Sequence, residues 1–214
     1  MRSTVILSYQ LTPTTFLMSW FSVNELVTSS GPVVITDQLA SPADFLLHQL
    51  LSEYVKSSPD AKCIIVSTAQ DLAKWKAISS RSVSQRCSFL RAYSCLHLWS
   101  TQGLNLTQKL EQGSIVFIDV PTQLPDLSPS DGASLLPLFD LIRNSVERLK
   151  DAQNTLVIFD ELATFEWIGY SALDISRFAR ALVAYCAKAS GVTAFLTFPY
   201  LQETFFVHYR APFR

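Results

Sequence analysis

Glycine is scarce in this chain, with six among 214 residues. Nucleotide-holding α/β proteins need glycines to close backbone amides around phosphate, and the loop G-x-x-x-x-G-K-[ST] occurs nowhere. Charge is scarce too: 16% of residues are Asp, Glu, Lys or Arg, against about a quarter in ordinary globular proteins. Such a balance implies a large core or a surface partly covered by partners. Seventeen basic and 18 acidic residues leave a net charge of −1. No global basic field exists, so any nucleic-acid contact requires a local patch or an assembly.

Four cysteines (Cys63, Cys87, Cys95, Cys186) lie too far apart for a disulfide framework and read as reduced, intracellular thiols. No apolar run approaches the roughly 18 residues that span a bilayer. The segment Val5–Phe21 is mildly apolar after Arg2, but Gln10 and Pro13 interrupt it and no small-residue cleavage site follows. No secretory signal is expected, which leaves the acceptor pattern Asn105-Leu106-Thr107 without meaning. A G-x-S-x-G nucleophile elbow is absent, and Cys87, Cys95 and His97 match no common zinc spacing.

What is present is alternation of strand-length apolar runs with helical periodicity. Val33–Thr36, Cys63–Ser67, Ile115–Asp119, Thr155–Phe159 and Thr193–Thr197 read as strands buried on both faces. Ser41-Pro42-Ala43-Asp44 is a helix start, followed by Leu47, Leu50, Leu51 and Tyr54 on one stripe. Further helices are expected around Gln70–Ile78, burying Leu72 and Trp75, and over Leu136–Leu149, with Leu138, Leu141, Ile142, Val146 and Leu149 inward. A fourth, near Ala172–Ala189, would bury Leu173, Phe178, Leu182 and Tyr185 and stop at Gly191. Pro121–Pro137 reads as a surface loop. This alternation predicts an α/β fold: a parallel sheet with helices on both faces.

Two places carry candidate chemistry. The strand ending in Phe159 runs into Asp160-Glu161, where nucleotide-hydrolysing α/β domains place metal- and water-handling carboxylates. The bland alternative, a cap or loop role, carries more weight for these residues and for Asp119, which ends another strand. The turn after the first predicted strand, Asp37-Gln38-Leu39-Ala40-Ser41-Pro42, has no glycine and no lysine. Pro42 removes a donor, and a carboxylate about 4 Å from a phosphate charge costs roughly 4 kcal/mol at an effective dielectric near 20. It is a poor phosphate site.

With these pieces in place the sequence resembles the sixth subunit of the Elongator complex. The carrying motifs are Ile35-Thr36-Asp37-Gln38-Leu39-Ala40-Ser41-Pro42-Ala43-Asp44-Phe45-Leu46-Leu47-His48, Gly103-Leu104-Asn105-Leu106, Phe117-Ile118-Asp119-Val120, and Phe159-Asp160-Glu161-Leu162 with Gly169. The resemblance spans about Gly31–Ala194. It implies a RecA-like, P-loop-NTPase-type domain that lacks the phosphate loop. It further implies a non-catalytic subunit in a hexameric ring with the fourth and fifth Elongator subunits, serving wobble-uridine modification of tRNA in the cytoplasm and nucleus. No catalytic, cofactor-binding or metal residue is assigned. The alternatives are a RecA-family ATPase using Asp160 and Glu161, and a recombinase-paralogue accessory protein.

The implied layout is an N-terminal extension over 1–30, a RecA-like domain over 31–198 and an irregular tail over 199–214. The segment Val83–Gln102 interrupts the family pattern, which passes from Ser82 to Gly103. It holds Cys87, Cys95, Trp99, Arg86 and Arg91, with Arg81 just before it. Val-Ser can be encoded by GTGAGT and Gln by CAG, the common ends of an intron, so a retained intron is expected; a basic, aromatic RNA-touching insert is the rival. Family members usually continue with further strands beyond Thr197, so a shortened end would leave an unpaired sheet edge. His48 is expected to pack, and Trp75 and Trp167 to anchor a core or an interface.

Overall fold

The computed structural model describes residues 5–8, 33–37, 44–57, 60–81, 103–124, 134–149, 154–189 and 191–199. Its strands are β1 (Val5–Ser8), β2 (Val33–Asp37), β3 (Lys62–Ser67), β4 (Ile115–Asp119), β5 (Thr155–Phe159) and β6 (Val192–Pro199). They form one sheet in the order β1-β2-β6-β5-β3-β4, with every neighbouring pair parallel. The α/β parallel architecture expected from the sequence is present.

Two features of the sheet differ from expectation. Val5–Ser8 falls within the stretch assigned to an N-terminal extension, yet it pairs with β2 from Val5↔Val33 to Ser8↔Thr36. Four residues carry too little pattern to announce a strand. The C-terminal strand is longer than predicted and lies inside the sheet, bonded to β2 on one side and β5 on the other. The unpaired edges of the described sheet are therefore β1 and β4. The tail over 200–214 and the segment over 82–102 lie outside the described residues, as do Cys87, Cys95, His97 and Trp99.

Helices cover both faces because the central strands alternate apolar side chains up and down. Cys63 and Ile65 of β3 and Leu156 and Ile158 of β5 face one layer. There they meet Leu47, Leu50, Leu51 and Tyr54 of α1 (Asp44–Ser57), Trp75 of α2 (Leu72–Arg81) and Leu106 of α3 (Leu106–Glu111). Ile64, Val66, Val157 and Phe159 face the other layer. They meet Leu138, Ile142 and Val146 of α5 (Leu136–Arg148) and Ile175, Phe178, Leu182 and Cys186 of α7 (Ala172–Lys188). Each fully buried Leu, Ile or Phe contributes about 1.5–3 kcal/mol relative to exposure, so two filled layers hold the sheet from both sides.

Local capping sets the helix boundaries. Asp71 Oδ1 accepts from the Lys74 amide at 2.7 Å, which starts α2 two residues after its predicted beginning. Ser134 Oγ accepts from Leu136 N–H at 3.1 Å at the head of α5. Ser171 Oγ accepts from Asp174 N–H at 3.2 Å at the head of α7 and its hydroxyl donates to Asp174 Oδ2 at 2.5 Å. The predicted stripe of α7 is corrected at Leu173, which is 47% exposed. It lies five residues before Phe178, about 140° round the helix at ~100° per residue, so both cannot face the sheet. Pro121–Pro137 is not a continuous loop: Val120–Gln123 form the short turn α4, and Pro137 belongs to the first turn of α5.

Cys63 and Cys186 are buried free thiols. Burial pushes the Cys63 thiol up and pushes Cys186 up to about 12. In the unfolded chain such thiols ionise near 9.0, so between pH 9 and the folded values the unfolded state binds fewer protons. Their contribution is intact below about pH 9 and is lost as pH rises toward 12. Each thiol tilts the balance by up to about 1.4 kcal/mol per pH unit. Urea unfolding at pH 8 and pH 11 should show a lower midpoint at pH 11. In a Cys63→Ala, Cys186→Ala double variant that pH sensitivity should shrink.

Candidate functional site

In open α/β sheets a ligand crevice forms at the carboxyl ends of neighbouring strands whose outgoing connections part in opposite directions. Here β3 leads outward to β4 while β5 leads inward to β6, so the parting lies between β3 and β5. The groups at that point are Ser67 and Thr68 at the end of β3 and Asp160 at the end of β5.

Asp160 is 3% exposed and its carboxylate is used by the fold itself. Thr68 N–H donates to Oδ1 at 2.9 Å, and Thr68 Oγ1 lies 3.2 Å from the same oxygen. The Ser67 hydroxyl donates to Oδ2. That hydroxyl also lies 2.5 Å from the Gln70 carbonyl and accepts from Gln70 N–H at 3.2 Å. The Thr68 hydroxyl reaches the Glu161 carbonyl at 2.5 Å.

The backbone repeats the pattern on both sides. Asp160 N–H donates to Val66 O at 3.1 Å, and Leu162 N–H donates to Thr197 O at 3.2 Å. The Thr197 hydroxyl donates to Asp160 O. The loop leaving β5 is thus pinned to β3 by Asp160 and to β6 by Thr197. Hydrogen bonds to a charged group contribute about 1.5–3 kcal/mol net, so this cluster ties the loop leaving β5 firmly to β3. A carboxylate whose two oxygens already take chain donors is poorly placed to take a cation or orient a water.

The other sequence candidates are not gathered here. Asp119 caps α4, accepting from Thr122 N–H at 3.3 Å. Asp37 ends β2, separated from β5 by β6, and the rest of the Asp37–Pro42 turn lies outside the described residues. Glu161 is half-buried behind the Thr68 contact. His48 is buried on α1; its Nδ1 lies 3.3 Å from Ser79 Oγ and its ring centroid 4.2 Å from that of Trp75. It packs, as expected. Among the described residues no group of three or more His, Cys, Asp and Glu side chains could hold a metal ion. None of the described helices is long and apolar enough to cross a membrane.

Ser67 and Thr68 escaped the sequence reading. The available signal was two hydroxyl residues directly ending an apolar strand, but their partner lies more than ninety positions away. The two tryptophans part company: Trp75 is fully buried, whereas Trp167 is 75% exposed. Ile168, just after α6 (Thr164–Trp167), and Leu173, in the first turn of α7, are 44% and 47% exposed.

No family model and no curated protein matches the chain. Among solved structures it is similar to a KaiC-like protein from the hyperthermophilic archaeon Pyrococcus horikoshii. The TM-score is 0.54 at 11% identity, covering 80% of this chain and 62% of that one. The chain therefore spans less than two thirds of that protein's length. At this identity the likeness speaks for fold alone: with its parallel sheet layered by helices on both faces, the chain is a RecA-like α/β domain.

Proposed function

We propose that this chain is a non-catalytic subunit of an Elongator-type assembly. In this reading it joins the fourth and fifth Elongator subunits in a hexameric RecA-like ring that supports wobble-uridine modification of tRNA. The observation that carries the non-catalytic part is the closure of Asp160 by Ser67 and Thr68. A hydrolase needs that carboxylate turned toward metal or water, whereas here it serves as an internal tie. The turn after β2, with Asp37 and Pro42 in place of glycines and a lysine, points the same way.

In this reading the chain acts through its surfaces. Trp167, Ile168 and Leu173 place three exposed apolar side chains within seven residues. Large exposed aromatics flanked by aliphatics mark contact surfaces, and tryptophan is prominent among residues that dominate association. RNA contact then belongs to the ring, since the net charge of −1 gives this chain no basic field of its own.

The test is purification of the tagged chain from cells. Two further RecA-like chains of distinct sequence should accompany it, and Trp167→Ala should lower their recovery at least tenfold while leaving the melting temperature unchanged. Purification as a stable monomer would overturn the ring. Calorimetry with ATP and magnesium tests the other half, where micromolar binding by the isolated chain would favour the enzyme.

A further inference from the structure

The described residues break off at Arg81, the end of α2, and resume at Gly103, which lies against the same helix. Leu104 N–H donates to Ser79 O at 3.1 Å. The Gly103 backbone lies so close to α2 that a Cβ there would sit 2.2 Å from the Ser80 carbonyl oxygen. Leu104 is buried in the layer that contains Trp75 and Leu106. Beyond it Asn105 Oδ1 accepts from Gln108 N–H at 3.2 Å and starts α3 at once. The seam between α2 and α3 therefore includes Ser79, Ser80, Gly103 and Leu104.

The chemistry of this seam is that of a helix end. When Ser82 is joined directly to Gly103, Leu104 becomes the fifth residue after Ser79. The observed bond then runs from the second residue beyond the cap back to the third from the helix end, the six-to-one closure of a Schellman motif. Ser82 becomes the C-cap. Gly103 falls on the position that prefers glycine for its freedom to adopt positive φ. Leu104 falls on the position whose apolar side chain packs against the last turn. The bond, the glycine and the buried apolar residue all fit this join.

We propose that the working form of this protein lacks Val83–Gln102 and runs from Ser82 into Gly103, with Gly103 and Leu104 forming the C-terminal capping turn of α2. The proposal rests on the flanking geometry and is independent of the functional reading above. Joining the two ends directly leaves no twenty-residue connection whose closure costs entropy on folding.

The experiment compares the full chain with the chain deleted for Val83–Gln102. The deleted chain should fold, melt at least about 5 °C higher and protect the Leu104 amide from hydrogen exchange. Within it, Gly103→Ala should melt lower, since a Cβ there would meet the Ser80 carbonyl oxygen at 2.2 Å, whereas the same substitution at Gly113, with φ 64° and open space around it, reports the cost of backbone strain alone. A third chain, with a Gly-Ser linker of equal length replacing the segment, separates spacing from sequence. If the linker chain folds while the deleted chain does not, the two ends need a spacer and the proposal is wrong. Transcripts give a second arm: messages twenty codons shorter across this junction support it, and uniform inclusion of those codons overturns it.

Discussion

Asp160→Ala is expected to destabilise the domain by about 3 kcal/mol or more, while Asp160→Asn costs less than about 1.5 kcal/mol. Alanine strips a buried site of the acceptor for the Thr68 amide and the Ser67 hydroxyl. Those donors then lie in a place where water does not reach, and each orphan costs about 1–3 kcal/mol. Asparagine keeps Oδ1 for the Thr68 amide. Its new N–H₂ can donate to Ser67 Oγ, whose own proton turns to the Gln70 carbonyl 2.5 Å away. Chemical denaturation of the three proteins measures both differences. A hydrolytic carboxylate would be distinguished by activity, since the asparagine variant would stay folded yet lose hydrolysis. Equal damage from both substitutions would show that the charge, rather than the bonding pattern, holds the crevice closed.

The second large effect falls on Trp75→Ala, expected to cost about 3–5 kcal/mol. Trp75 is fully buried, its ring tilted at 50° against His48 with centroids 4.2 Å apart and edge-on at 6.4 Å to Phe117. Its removal opens a cavity beneath α1, α2 and β4 together, and none of these can collapse into the space without leaving the sheet. Against a typical total of about 5–15 kcal/mol, that loss takes the domain near its unfolding threshold at body temperature. Trp167→Ala is the matched control. With three quarters of its surface in solvent, it should change stability by less than about 0.5 kcal/mol. Thermal melts of the pair separate a core residue from a contact residue of the same type.

The contrast also shows what pattern can convey. Strands β3 and β5 were legible because burial on both faces turns them into unbroken runs, Cys63-Ile64-Ile65-Val66 and Leu156-Val157-Ile158-Phe159. The stripe of α1 was legible because Leu47, Leu50, Leu51 and Tyr54 all face one layer. Strand order was not, since parallel strands are joined by crossovers whose landing place no turn residue announces. Nor was the role of Asp160: its position at a strand tip was plain, but its donors come from Ser67 and Thr68, far away in sequence. Trp75 and Trp167 carry the same side chain, and only tertiary packing tells the buried one from the exposed one. Val5–Ser8 was hidden by brevity, because four residues count as a strand only when a partner is already in place.

The placement of β6 has a consequence for how the molecule is made. Val192–Pro199, the last described strand in chain order, is the plank that joins β1-β2 to β5-β3-β4. A ribosome therefore releases two separate half-sheets before it releases the piece that unites them. Until then β2 and β5 each present an edge of unpaired backbone N–H and C=O groups, the kind of surface that invites mispairing. A nascent chain stalled near Gly191 should be held by chaperones, and a few more residues of synthesis should be enough to free it.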